Sequence, residues 1–221
     1  VTSCAIDNDN DWDIFVANDA MENYLYRNNG DGTFTNIARQ TGSAFGQGGD
    51  ATSAMSGEFA DIDLDGLVDI IVPDMAYSCL YKNTGLGYFE EKSAATGLAV
   101  ACGQYTSWSG NFFDFDHDGY GDLFITNGHP HRLIGEESLL LLNDKGKRFE
   151  NVSHLLGKDF QQKFVGRGSA VGDFDDDGDM DILVLNLNDR PCLFLNKGGN
   201  RKNWLLIDLI GTVSNRDAIG S

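Results

Sequence analysis

Apolar residues in this chain come in short runs of about four to six, bounded by acidic residues, Asn or Gly, a pattern that predicts buried β-strands rather than helices. One set follows acid-rich segments: IFVA at 14–17, IIVP at 70–73, LFIT at 123–126 and ILVL at 182–185. A second set follows the first: YLYRN at 24–28, CLYKN at 79–83, LLLN at 140–143 and CLFLN at 192–196. Each of these ends in Asn and soon meets Gly, which marks a turn. A third, Phe-led set appears as FTNIA at 34–38, FEEKS at 89–93 and FENVS at 149–153. Further strand candidates lie upstream of the acidic segments, at 52–59, 106–113 and 168–172.

The result is a tandem unit of about 55 residues with about four short strands, the build of a β-propeller blade. A single blade cannot bury both of its faces, and radial stacking buries them. A β-solenoid competes, but its repeats are usually shorter. The expected fold is all-β, a partial β-propeller of about four units with four antiparallel strands each.

The acidic segments share one register. Residues 61–69 read DIDLDGLVD, 114–122 read DFDHDGYGD and 173–181 read DFDDDGDMD, all of the form DxDxDGxxD. A degenerate copy, AIDNDNDWD, occupies 5–13. Two carboxylates ~5 Å apart repel by up to about 3 kcal/mol at an effective dielectric of 20. A hard cation removes that cost, and calcium takes 6–8 oxygens at ~2.4 Å. Positions 1, 3 and 5 of such a loop point inward, Gly at position 6 permits the sharp turn, the carbonyl at position 7 adds a ligand, and Asp at position 9 closes the cage. An EF-hand would need Glu at position 12 and flanking helices. Position 12 is Val16, Val72, Ile125 or Val184, each inside an apolar run. Magnesium fits less well, because it keeps its waters. A metal-free acidic turn is the competing reading, strongest for the first copy, where Ala5 holds position 1 and Asn10 position 6.

Charge and composition narrow the function. The 221 residues carry 34 acids against 16 bases, a formal charge of −18. Such a surface repels phosphate backbones, so nucleic acid is excluded as an expected partner. No apolar stretch approaches the ~20 residues of a membrane span, and no signal peptide opens the chain. Cys4, Cys79, Cys102 and Cys192 form no CxxC or zinc spacing. They are expected as free buried thiols, with a Cys79–Cys102 disulfide as the alternative in an exported protein. His129 and His131 form an HxH pair, which Pro130 assigns to an ordinary loop. Trp12, Trp108 and Trp204 are expected to pack within blades rather than to form sugar platforms. Ser107 and Ser109 lack a His/Asp arrangement, and GRGS at 166–169 lacks the Lys and helix of a phosphate loop. No catalytic residue is assigned, and the chain is expected not to be an enzyme.

Strands rich in Phe and Gly that lead into DxDxDGxxD and then an apolar strand resemble the FG-GAP/VCBS repeats of integrin-α-like propellers. The resemblance covers about residues 1–199 and implies bound Ca²⁺, three complete sites and one partial. The ligands it implies are Asp61, Asp63, Asp65 and Asp69; Asp114, Asp116, Asp118 and Asp122; and Asp173, Asp175, Asp177 and Asp181. The partial site offers Asp7, Asp9 and Asp13. Backbone carbonyls would come from Asp11, Leu67, Tyr120 and Asp179. The stretch NWLLIDLIGTVSNRDAIG at 203–220 resembles the opening of an ASPIC/UnbV domain, so residues 200–221 are expected to begin that β module. Together these parts resemble the cartilage-acidic-protein-like group. That implies an extracytoplasmic home (secreted, periplasmic or cell surface) and a longer parent with more blades. The expected role is adhesion or binding of a protein or glycan. The alternative is the non-catalytic part of a carbohydrate-active propeller such as a polysaccharide lyase.

Overall fold

The computed structural model describes residues 1–9 and 11–198. Its strands form the blades of a β-propeller, each blade an antiparallel meander. Blade one contains Thr2–Cys4, Asp13–Val16, Tyr24–Asn28 and Phe34–Asn36. Blade two contains Glu58–Ala60, Asp69–Val72, Cys79–Asn83 and Phe89–Glu91. Blade three contains Ser107–Phe113, Asp122–Asn127, Leu139–Asn143 and Phe149–Asn151. Blade four contains Gly166–Gly172, Asp181–Asn186 and Cys192–Phe194 among the described residues. The innermost strands pack in chain order, Thr2–Cys4 against Glu58–Ala60, then Ser107–Phe113, then Gly166–Gly172.

Alternation along each strand sends its side chains to two neighbours. In blade two, Ile70, Val72, Cys79 and Tyr81 pack with Phe15 and Leu25 of blade one. The intervening Ile71 and Leu80 pack with Leu123, Ile125, Leu139 and Leu141 of blade three. Phe124 and Leu140, on the other face of blade three, meet Ile182 and Val184 of blade four. The core is therefore a series of inter-blade layers. Burying each large apolar side chain in them contributes about 1.5–3 kcal/mol. On the far face of blade four, Leu183, Leu185 and Leu193 are exposed.

The structure corrects three expectations. The 52–59 candidate is split: Thr52–Ser53 crosses to pair with Asp19–Met21, and only Glu58–Ala60 joins blade two. At the split, Gly57 lies so close to blade one that a Cβ there would stand 2.9 Å from the Phe15 ring. Cys4 and Cys192 are only partly buried, and all four thiols are free, so Cys79–Cys102 is no disulfide. Burial pushes both the Cys79 and Cys102 thiols up to about 12, which makes them poor nucleophiles. Trp12 is 56% exposed rather than packed in a blade. Trp108 does pack: its Nε1 donates to the Gly128 carbonyl at 2.6 Å, and the Arg167 guanidinium lies 4.0 Å from its ring. The HxH pair is a loop, with His129 Nδ1 accepting the amides of His131 and Arg132. The ASPIC/UnbV resemblance at 200–221 and Trp204 lie outside the described residues. No helix among the described residues is long and apolar enough to cross a membrane.

Candidate metal centre

In every blade the acidic segment connects the innermost strand to the second strand. Antiparallel order therefore puts all the acidic loops, together with the turns after Asn28, Asn83 and Asn143, at one end of the propeller. The connections at 17–23, 73–78, 128–138 and 187–191 lie at the opposite end.

The loops share a backbone form. Position 4 is left-handed in all of them, at φ 61° for Asn8, 58° for Leu64, 56° for His117 and 58° for Asp176. Gly66, Gly119 and Gly178 at position 6 have φ of 84°, 96° and 91°. Left-handed residues cost an L-amino acid roughly 1–2 kcal/mol unless it is Gly or a short polar type. Two such residues curl the chain around the carboxylates. Asp61, Asp114 and Asp173 at position 1 each accept the amides of positions 5 and 6, at 2.8–3.1 Å.

The structure brings positions 1, 3 and 9 together. Asp61, Asp63 and Asp69 form one triad, Asp114, Asp116 and Asp122 a second, and Asp173, Asp175 and Asp181 a third. In each, one carboxylate oxygen per residue lies within 4.8 Å of the others. Position 5 stands outside these triads: Asp65, Asp118 and Asp177 each accept the position-7 amide, of Leu67, Tyr120 or Asp179, at 2.9 Å. The first loop repeats that turn, with Asp9 accepting the Asp11 amide at 2.8 Å. Asp7, Asp9 and Asp13 form no such triad among the described residues, because Ala5 supplies no carboxylate at position 1.

Position 9 is the anchor. Asp13, Asp69, Asp122 and Asp181 are buried at 0–2% exposure. One oxygen of each accepts the position-2 amide, of Ile6, Ile62, Phe115 or Phe174. The other accepts the amide of the strand-ending Asn28, Asn83, Asn143 or Asn196. Burial pushes the Asp69 carboxyl up to about 6 and that of Asp122 up to about 7. Asp175 is raised by desolvation first and then by the negative charges of Asp177, Asp181 and Asp173. Asp7 is raised by burial, then by Asp13 and Asp9. Asp65 is the exception: burial alone would raise it, but hydrogen bonds from Lys82 and the Leu67 amide hold it below the usual carboxylate range.

These triads fit a hard divalent cation. Every converging atom is a carboxylate oxygen, with no thiolate or imidazole in any of the three. Repulsion at Asp175 is the cost that such a cation removes.

The strand-ending asparagines do more than make turns. Asn83 Nδ2 donates to the Ile6 carbonyl at 3.2 Å, Asn143 Nδ2 to Ile62 at 2.8 Å and Asn196 Nδ2 to Phe115 at 3.4 Å. Each acceptor is position 2 of the preceding blade's acidic loop. In the sequence these residues read as turn markers alone. Their recurrence at the end of the third strand in every unit is the signal that points to them.

A profile of the FG-GAP-like repeat matches residues 6–72 and again 61–125. Cartilage acidic protein 1 of Xenopus tropicalis is 27% identical over 205 residues, covering 88% of this chain and 30% of that protein. The chain thus spans about a third of the length of the curated relative it matches. A solved Agrocybe aegerita lectin, titled for recognition of non-reducing terminal N-acetylglucosamine, aligns over 90% of this chain and 53% of its own. Its identity is 20% and its TM-score 0.48.

Proposed function

This chain belongs to the FG-GAP-like repeat family, and from that premise we propose that it is a calcium-stabilised, non-enzymatic binding module of an exported or cell-surface protein. The observation that carries the metal reading is the recurrence of three Asp triads in one register. Asp65, Asp118 and Asp177 and the carbonyls of Leu67, Tyr120 and Asp179 would add oxygens to the triads. The degenerate first loop would hold an ion more weakly, if at all, through Asp7, Asp9, Asp13 and the Asp11 carbonyl. Calcium at 100-fold above Kd stabilises the folded state by about 2.7 kcal/mol per site. Two or three such sites are comparable with the ~5–15 kcal/mol that holds a whole domain together.

With the acidic loops given to structure, partner contact falls to the opposite end. Met21, Leu133, Ile134 and Leu187 are exposed there, and loops held by a rigid scaffold are where binding residues concentrate. The proposed role is adhesion to a protein or glycan, without turnover. Immobilised protein in millimolar calcium, offered a glycan array and extracellular-matrix proteins, tests this. Calcium-dependent retention without cleavage is the expected result. Polysaccharide cleavage that scales with protein concentration would overturn the non-enzymatic reading.

A further inference from the structure

Lys82 occupies the second acidic loop. Its Nζ lies 3.0 Å from Asp63 Oδ1, 2.9 Å from Asp65 Oδ2 and 3.2 Å from Asp69 Oδ1. The side chain is only 17% exposed. Lys82 stands just before Asn83 on Cys79–Asn83, the third strand of blade two, which pairs with the strand that leaves the loop. The corresponding residues before Asn143 and Asn196 are Leu142 and Leu195, which carry no charge. In blade one the position holds Arg27, which is exposed.

We propose that Lys82 is the resident cation of the 61–69 loop, so that this loop binds calcium much more weakly than the loops at 114–122 and 173–181. The inference rests on the calcium reading above. An ammonium within 3.2 Å of three carboxylates stands where a calcium ion with ~2.4 Å bonds would have to sit. Both cannot hold the same oxygens, so calcium must first displace three charge-assisted hydrogen bonds. The propeller then has two kinds of loop. One carries its own counter-cation at any calcium level, and two depend on the medium.

Calorimetric titration of the 221-residue chain with Ca²⁺ alone tests this, using wild type, Lys82→Met, Lys82→Arg and Asp63→Asn. Lys82→Met is expected to tighten one site by at least about tenfold and so add one ion to the tight class. In chelator the same variant should melt below wild type. Lys82→Arg should keep the wild-type ion count. Asp63→Asn should leave the number of tight ions unchanged, a readout that holds even where Lys82→Met folds poorly. Unchanged calcium affinities in Lys82→Met, or loss of a tight ion in Asp63→Asn, would overturn the assignment and leave the calcium reading standing. No bound calcium in any of these chains would overturn the calcium reading, and this assignment with it.

Discussion

Asn143 reaches back to blade two: its Nδ2 donates to the Ile62 carbonyl at 2.8 Å, across 81 residues of sequence. The same amide donates to the Gly121 carbonyl at 3.0 Å in its own blade. Its Oδ1 accepts the Gly146 amide at 2.7 Å, and its own amide binds Asp122 at 2.8 Å. The residue, 4% exposed, therefore ties its turn to the preceding metal loop through its side chain and holds the blade's anchor carboxylate through its backbone amide.

Asn143→Ala leaves the Ile62 and Gly121 carbonyls without this donor in a buried site. An unmade buried hydrogen bond costs about 1–3 kcal/mol. Urea unfolding should show a loss of about 2–4 kcal/mol, in calcium and in chelator alike. A loss seen only in calcium would mean that Asn143 acts through the metal rather than by tying the blades.

The pH dependence of the metal-free chain should run opposite to that of ordinary acid denaturation. Burial raises Asp69 to about 6 and Asp122 to about 7, above their unfolded values. The folded state therefore binds these protons more tightly than the unfolded state does. The stabilisation they give is full below about pH 4 and is lost as pH rises through 6 to 7. In chelator, the melting temperature should fall between pH 5 and pH 7.5. Calcium needs the ionised carboxylates, so its binding near pH 6.5 should release protons. Calorimetry in buffers of different ionisation enthalpy reads that release directly. A chelated melt that rises over this range would contradict the account.

Leu64 is held at φ 58° with 56% exposure, where the other loops place Asn8, His117 or Asp176. Asn tolerates the left-handed region better than Leu. Leu64→Asn should stabilise the chain by about 0.5–1 kcal/mol in urea unfolding. A destabilised variant would mean that the Leu64 side chain contributes packing that outweighs its backbone strain.

Asp179 is buried at 0% exposure, and neither of its carboxylate oxygens has a hydrogen-bond partner. The nearest basic atom is His117 Nε2, 3.4 Å away in the neighbouring blade's loop. Where His117 is protonated the two form a buried ion pair, and removing one partner leaves the other uncompensated, at a cost of about 3–5 kcal/mol. His117→Leu should be strongly destabilising, and Asp179→Leu added to it should recover most of the loss. Additive losses in this double-mutant cycle would show that the two side chains are not coupled.

Much of this was legible because the signals are local. The DxDxDGxxD register and the apolar runs marked blades and acidic loops, and the Asp61, Asp114 and Asp173 loops bring positions 1, 3 and 9 together, while position 5, expected inward with them, instead accepts the position-7 amide. What escaped depends on distance. Nothing near Asn143 in sequence points to Ile62. Lys82 read as one polar residue in a strand, and only the fold carries its ammonium back into the 61–69 loop. Trp12 reads as blade packing because it stands beside the 14–17 strand run, yet it lies at position 8 of a loop open to solvent. The 52–59 run looked continuous because strand propensity does not register that Gly57 must pass close to Phe15.

The central claim is that calcium in the acidic loops stabilises this fold. Thermal melting in millimolar calcium and in chelator, with a calorimetric count of bound ions, tests it most directly. The account predicts a large upward shift of the melting temperature and two tightly bound ions, with weaker binding at the Lys82 loop. An unchanged melt with no bound ion would contradict it, and the three Asp triads would then be acidic turns without metal.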